Sequence, residues 1–257
     1  MKKAPIWGLV WKEFYCIKKD LQMMFWICFG FSAIVMLVMG SFQYGNLRFV
    51  DEETIQSLPM VIIFINLIPI LGFSAIASAV SDYTVREEKS LVRRFYLVTP
   101  VSGFRIAGAK VLSMAILFVF GQLCTGVYIF LVKNVFHISF GAGIFGISLA
   151  MAAAYSLLNL VFLVIGFFTK SKEQAGLILI ILMVLVVIIS VGMGKFIPDL
   201  SLNIVGYLTI FEENPLGTMV SLEKLGNRII PFAIAVCILI YLAGFGVLGL
   251  LYQRREK

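Results

Sequence analysis

Residues 81–110, SDYTVREEKSLVRRFYLVTPVSGFRIAGAK, form the longest charged run of this chain and lie between two segments apolar enough to cross a bilayer. On a helix, at about 100° per residue, one arc of this run is mostly charged and the other is apolar. The charged arc holds Arg86, Glu87, Lys89, Ser90, Arg93 and Arg94, and the apolar arc holds Val85, Leu91, Val92, Phe95 and Tyr96. Glu88 also falls on the apolar arc, where its carboxylate would need a hydrogen-bonded or cationic partner. This pattern predicts an amphipathic helix at a membrane boundary, ended by Pro100 because proline lacks an N–H. Such a helix either presents its polar face to a soluble partner or is a solvated connecting loop.

The composition indicates an integral membrane protein. Hydrophobic residues make up 61% of the 257 residues, charged residues only 14%, and the mean hydropathy is +1.01. Six apolar stretches each have about the 20 residues that a hydrocarbon layer requires. They are Leu21 to Gly40, Pro59 to Val80, Val111 to Val132, Phe140 to Phe168, Ala175 to Gly194 and Ile229 to Tyr252. The predicted fold is a single all-α membrane domain over residues 1–257, with six transmembrane helices.

Residues 1–20 predict a further interfacial helix ahead of the first span. Ile6, Trp7, Val10, Trp11, Phe14 and Ile17 share one helical face, with Lys12, Glu13, Cys16 and Lys19 opposite. Tryptophan is favoured at head-group depth because its ring is apolar with one polar edge. The helix either anchors the chain to lipid or binds a partner.

The distribution of basic residues predicts the orientation. Sixteen Lys and Arg residues lie before the first span, in loop 81–110, after the fourth span and in the tail, and five lie on the opposite side. The positive-inside rule therefore places both termini and residues 81–110 in the cytoplasm. Residues 195–228 are then extracellular, either as a lid or as a re-entrant segment broken at Asn214-Pro215.

The sequence offers no pattern typical of catalysis, metal binding or nucleotide binding. His137 is the only histidine, the four cysteines form no CxxC pair, and there is no phosphate-binding glycine-rich loop. No lysine or arginine cluster stands clear of the spans to bind nucleic acid. Neutral polar residues inside the spans either line a substrate path or bond between helices. The candidates for the path are Asn66, Gln122, Thr125, Tyr155 and Asn159.

The charged run also resembles a known family, the ABC transporter permeases of the second type, which are six-span membrane subunits of bacterial exporters. The resemblance depends on an acidic pair, a leucine, Pro-Val-Ser, a basic residue and a lysine opening the next span. Here these are Glu87-Glu88, Leu91, Pro100-Val101-Ser102, Arg105 and Lys110, with Lys12-Glu13 matching the family's amphipathic first helix. Lys89 and Gly103 depart from the family pattern. Within the family, the chain is most similar to exporters of bacitracin, lantibiotics and phenol-soluble modulins.

The resemblance implies a bacterial plasma-membrane exporter that is not itself an enzyme. Two permease chains, identical or related, would pair and bind two copies of a cytoplasmic ATPase subunit, which holds ATP and Mg²⁺, so this chain needs no cofactor. The residues implied to couple to the ATPase are Arg86, Glu87, Glu88, Lys89, Arg93, Arg94, Phe95 and Tyr96. Arg86, Arg93 and Arg94 would meet acidic groups of the ATPase, and Glu88 would hold this helix to its own bundle. An antimicrobial or cytolytic peptide is the expected cargo, with drug and lipid left open. The alternative is a membrane scaffold or sensor that recruits a partner through loop 81–105.

Overall fold

The computed structural model describes residues 6–44, 66–89, 101–136, 142–169, 171–194 and 215–256. These ranges contain seven helices and no strand, which confirms the all-α prediction. The helices are α1 (Ile6–Tyr44), α2 (Asn66–Ala75), α3 (Ser78–Lys89), α4 (Gly103–Phe136), α5 (Ala142–Phe168), α6 (Lys172–Gly194) and α7 (Pro215–Glu256).

Four helices, α1, α4, α5 and α7, are long and apolar enough to cross a membrane. A fifth span forms if α2 and α3, which meet at a 40° bend, cross together. The sixth predicted span, Ala175 to Gly194, lies in α6, and the part of this helix whose side chains the structure describes is an apolar stretch over Glu173–Leu185. The structure therefore confirms a helical membrane protein, and the count of six remains a prediction.

The first helix corrects one predicted boundary. The interfacial helix of residues 1–20 was expected as an element separate from the span that starts at Leu21, but α1 runs without interruption over 39 residues. Neither proline nor glycine occurs between Val10 and Phe29, so nothing in the covalent chain ends the helix there. At 1.5 Å per residue the helix is about 58 Å long, nearly twice the hydrocarbon thickness of a bilayer.

The predicted external segment 195–228 is also partly helical. Residues 195–214 lie outside the described part of the chain, and residues 215–228 form the first turns of α7, which continues through Pro231. Pro215 occupies the first position of this helix, where the missing N–H has no helical partner in any case. The choice between a lid and a re-entrant segment thus falls on residues 195–214.

The helices pack around two long pairings. α5 and α7 have the most extensive contact, and α7 and α1 both pack along α4. At Gly143, Gly146 and Gly226 the backbones of α5 and α7 approach so closely that a β-carbon on Gly146 or Gly226 would overlap the other helix. Small residues commonly allow such close crossings of membrane helices. The short helix α3 lies against α1, α4, α5 and α6, so it touches most of the bundle.

Candidate functional site: a buried ion cluster

Three helices contribute charged side chains to one buried group, which we call the ion cluster: Lys12 and Glu13 from α1, Glu87 from α3 and Lys110 from α4. Lys110 is central. Its Nζ lies 2.5 Å from Glu87 Oε2 and 3.2 Å from Glu13 Oε2. The side chains of Lys110, Glu87 and Glu13 are 0%, 1% and 2% exposed. The cluster therefore joins α1, α3 and α4 through charges that water does not reach directly.

The remaining contacts complete the coordination of the two ammonium groups. Lys110 Nζ also donates to Thr84 Oγ1 at 3.3 Å, and it lies 5.9 Å from the centre of the Tyr83 ring, within the range of a cation–π contact. Lys12 donates to Glu87 Oε1 and lies 3.5 Å from Glu13 Oε1, and its side chain is 31% exposed. Two ammonium groups thus balance two carboxylates, and Lys12 closes the side of the cluster nearest to solvent.

The sequence places these groups by helical spacing. On α1, Glu13 shares a buried face with Val10 and Ile17, and on α3, Glu87 shares one with Val80 and Thr84. On α4, Lys110 lies between the buried residues Ile106 and Met114, one turn away on either side. Each charged residue therefore points into the bundle because its apolar neighbours at i±3 and i±4 are buried.

The ion cluster determines the relative position of its three helices more than it adds to the net stability of the fold. Moving a carboxylate or ammonium out of water costs several kcal/mol, and mutual attraction offsets this only when the geometry is good. Removal of one partner is therefore far more costly than replacement of all of them by apolar residues. The cluster fixes how α3 sits against α1 and α4, because sliding any one helix would leave a buried charge unpaired.

Two predicted orientations are wrong. Glu87 was expected on the outward arc with Arg86, but its side chain is buried and paired. Glu13 was expected opposite the apolar face of α1, but it is buried beside Val10 and Ile17, while Trp7 and Trp11 are exposed. The helical wheel sorts residues by polarity, so it assigns a charged residue to the surface even when a buried partner exists on another helix.

The other predicted coupling residues are only partly within the described structure. Arg86 is exposed, and its Nη2 lies 2.7 Å from Asp82 Oδ2 one turn earlier on α3. Lys89 ends α3, while its side chain and that of Glu88 are outside the described residues, as are Arg93, Arg94, Phe95 and Tyr96. The proposed anchoring role of Glu88 therefore stays a prediction, and the anchor that the structure does show is Glu87.

The five candidate path residues contact two different sets of helices. Asn66 accepts a hydrogen bond from Tyr128 at 2.6 Å, Gln122 donates to Ser74 at 3.4 Å, and Thr125 donates to its own helix at Gly121. The first two bonds join α2 to α4, as expected of polar residues that bond between helices. Tyr155 and Asn159 instead line a separate cavity between α3, α5 and α6. A role of these residues in a substrate path stays a prediction.

Sequence reasoning missed Glu13 and Lys110 as members of a site. Both were noted as motif residues, yet neither was given a partner. One available signal was that Lys110 follows the apolar residues Ile106, Ala107 and Ala109 and precedes the third predicted span without a break. A lone lysine in such a helix requires a counter-charge from elsewhere in the fold.

The described residues contain no cluster of three or more His, Cys, Asp or Glu that could hold a metal ion, and their four cysteines are free thiols. Comparisons of this chain with protein-family models, with curated proteins and with solved structures each found no match.

Proposed function

We propose that this chain is the six-span permease subunit of an ATP-driven exporter in a bacterial plasma membrane, with both termini in the cytoplasm. The observation that carries the proposal is the ion cluster. It fastens α3, which leads directly into the basic segment 90–100, to the starts of α1 and α4. A force applied to this end of α3 would therefore act on two long helices at once.

The geometry of α3 suits a lever. The helix has 12 residues, about 18 Å in length, and a 40° bend separates it from α2. Arg86 is exposed, while Glu87 is held inside by Lys110. A partner could thus grip one face of α3 while the opposite face transmits the movement to the spans.

The energy source would be a separate subunit. The chain lacks a glycine-rich phosphate loop, so ATP and Mg²⁺ would be bound by two copies of a cytoplasmic ATPase that dock on two paired permease chains. ATP binding and hydrolysis would supply the difference in free energy between inward-open and outward-open states. The cargo would be amphipathic or hydrophobic, with a membrane-active peptide as the first candidate. The ionisable residues that the structure buries are paired with one another in the ion cluster, and the predicted spans carry none to accompany a small ion.

The test is reconstitution with and without an ATPase subunit. The chain is purified from its native membrane, the co-purifying proteins are identified by mass spectrometry, and peptide efflux is measured in proteoliposomes with and without ATP. We expect an ABC ATPase in the complex and efflux that requires ATP. Efflux without any nucleotide-hydrolysing subunit would overturn the proposal, and a stable complex with a different class of soluble protein would favour the scaffold or sensor.

Two variants separate the binding of the ATPase to α3 from the transmission of its movement to the spans. Arg86→Glu should weaken ATPase association, because it reverses a charge on the exposed face of α3. Glu87→Gln should leave association within about twofold and lower cargo-stimulated ATP hydrolysis on the order of tenfold, since the change weakens the link from α3 to Lys110. Arg228→Glu is the matched control, an exposed arginine near the start of α7. Equal effects of Arg86→Glu and Arg228→Glu on association would contradict the assignment of α3 as the docking helix.

A further inference from the structure

A cavity of about 370 Å³ lies between α3, α5 and α6, and its lining is divided between polar and apolar side chains. The polar residues are Ser78, Ser81, Asp82, Tyr155 and Asn159, and the apolar ones are Leu158, Phe162, Leu179 and Met183. The ion cluster and the cavity share helix α3 but no residue. A divided lining of this kind suits a ligand with one polar and one apolar end.

Asn159 is the strongest sign that the cavity takes a ligand. Its residue is 8% exposed, and its Nδ2 has no hydrogen-bond partner among the described residues. Ser81 Oγ lies 3.1 Å from Asn159 Oδ1 and 2.7 Å from the Ser78 carbonyl oxygen, yet a serine hydroxyl has only one proton to donate. Whichever way the amide is turned, one of its ends keeps unused hydrogen-bonding capacity among the described residues, and burial of a polar group in that state is unfavourable in free energy. A ligand that bonds to this amide would recover that free energy.

The depth of the cavity in the bilayer indicates which class of ligand can reach it. α1 runs antiparallel to the α2–α3 segment, because Met39 contacts Asn66 of α2 at one end and Lys12 contacts Glu87 of α3 at the other. Lys18 follows Glu13 by five residues on α1, and Asp82 precedes Glu87 by five residues on α3. Each of them therefore lies about 7.5 Å from the ion cluster, measured along its helix axis. Lys18 and Lys19 are exposed, and exposed lysines of a membrane helix lie at the head-group region. Asp82 and the mouth of the cavity are therefore at head-group depth.

The charges beside the cavity favour a zwitterion. Asp82 lines it, and the Asp82–Arg86 ion pair places a negative and a positive group next to each other at the same level. Below them, the outer face of α6 is apolar and exposed at Leu177, Ile180 and Val184. A lipid could thus place its head group in the cavity and its acyl chains along α6.

We propose that this cavity binds the head group of a phosphatidylethanolamine-type lipid. The phosphodiester oxygens accept hydrogen bonds from the Asn159 amide and the Tyr155 hydroxyl, and the ammonium group donates to Asp82. The assignment requires only that the chain lies in a bilayer, so it is independent of the proposed ATPase partner and of the cargo.

Native mass spectrometry of the delipidated full-length protein in detergent tests the proposal. Phosphatidylethanolamine, phosphatidylcholine and phosphatidylglycerol with identical acyl chains are titrated separately. We expect phosphatidylethanolamine to bind at least about threefold more tightly than phosphatidylcholine, whose methylated ammonium has no N–H to donate to Asp82. Asn159→Leu should weaken this binding about fivefold, the loss expected for one hydrogen bond of about 1 kcal/mol. Ser148→Ala is the matched control, because Ser148 is also a buried residue of α5 whose hydroxyl has no hydrogen-bond partner in the described part of the chain, and it does not line the cavity.

Tyr155→Phe provides a second variant if Asn159→Leu does not fold. Tyr155 is 39% exposed, so loss of its hydroxyl should leave the fold intact and weaken phosphatidylethanolamine binding two- to threefold. Equal affinity for phosphatidylethanolamine and phosphatidylcholine, tighter binding of phosphatidylglycerol, or full binding by a folded Asn159→Leu protein would each overturn the proposal. None of these outcomes affects the test for ATP-dependent efflux.

Discussion

The bundle uses two different chemistries to join the α2–α3 segment to α4 at two different depths. Near the start of α4, Glu87 pairs with Lys110 as fully charged groups. Further along, Ser74 pairs with Gln122 and Asn66 with Tyr128, all of them neutral. From Lys110, Gln122 is about 18 Å along α4 and Tyr128 about 27 Å. The charged link between α3 and α4 thus lies near the start of α4, and the neutral links between α2 and α4 lie deeper.

This difference follows from the cost of desolvation. An unpaired charge in hydrocarbon costs far more than an unpaired amide or hydroxyl, so charge is tolerated where some water or head-group contact remains. Lys12, at 31% exposure, provides that contact for the ion cluster. The charged end can therefore couple strongly to a partner in water, whereas the neutral pairs hold helices together with a smaller penalty if they separate.

The largest effect should come from the centre of the ion cluster. Lys110→Met should lower the free energy of unfolding by about 3–5 kcal/mol, because Glu13 and Glu87 are then left buried with only Lys12 between them. The measurement is equilibrium unfolding in mixed detergent micelles. Lys133→Met, an exposed lysine near the end of the same helix, should change it by less than about 0.5 kcal/mol.

A double variant separates this charge effect from a simple packing defect. Adding Glu87→Gln to Lys110→Met should restore part of the lost stability, because it removes one of the two uncompensated carboxylates. If the changes in the free energy of unfolding are instead additive, Lys110 and Glu87 do not interact energetically. The contrast between the charged and the neutral links of α4 would then have no support.

The neutral pair at the deeper level should matter less. Tyr128→Phe removes the donor to Asn66 Oδ1 and leaves a buried oxygen one bond short, so we expect a loss of about 1–2 kcal/mol. Tyr155→Phe, at a partly exposed tyrosine, is the control and should cost less than about 0.5 kcal/mol. A larger loss for Tyr128→Phe than for Lys110→Met, measured in the same micelles, would reverse the ranking of the two chemistries.

The class of fold could be predicted from the sequence because it depends on the length and apolarity of continuous segments. These are local properties, and a helix satisfies its own backbone hydrogen bonds in lipid. The boundary between residues 1–20 and the first span could not be located in this way. Lys18, Lys19 and Asp20 interrupt the hydrophobicity but not the helix, since a charged side chain leaves the backbone N–H in place and only proline removes it.

The ion cluster could not be predicted from the sequence because it is a property of three helices together. Glu13 and Lys110 are 97 residues apart in the chain and Glu87 and Lys110 are 23 apart, so no local window contains the group. A helical wheel compares a residue only with its own helix, and by that measure Glu87 belongs with Arg86. Only the way that α1, α3 and α4 pack shows that Glu87 faces inward and Arg86 outward.

The smallest effect should come from the partly exposed ion pair between Arg86 and Asp82. Arg86 and Asp82 are 2.7 Å apart, but their side chains are 55% and 30% exposed, so solvent screens the attraction and the side chains lose entropy in meeting. Arg86→Gln should therefore change the free energy of unfolding by no more than about 0.5 kcal/mol, and the change should shrink further when salt is raised. The same micelle unfolding assay at two salt concentrations measures both. A loss close to that of Lys110→Met, or one insensitive to salt, would mean that Arg86 contributes to the interior of the bundle. The side chains of α3 that the structure describes would then present no outward basic group for a partner to bind.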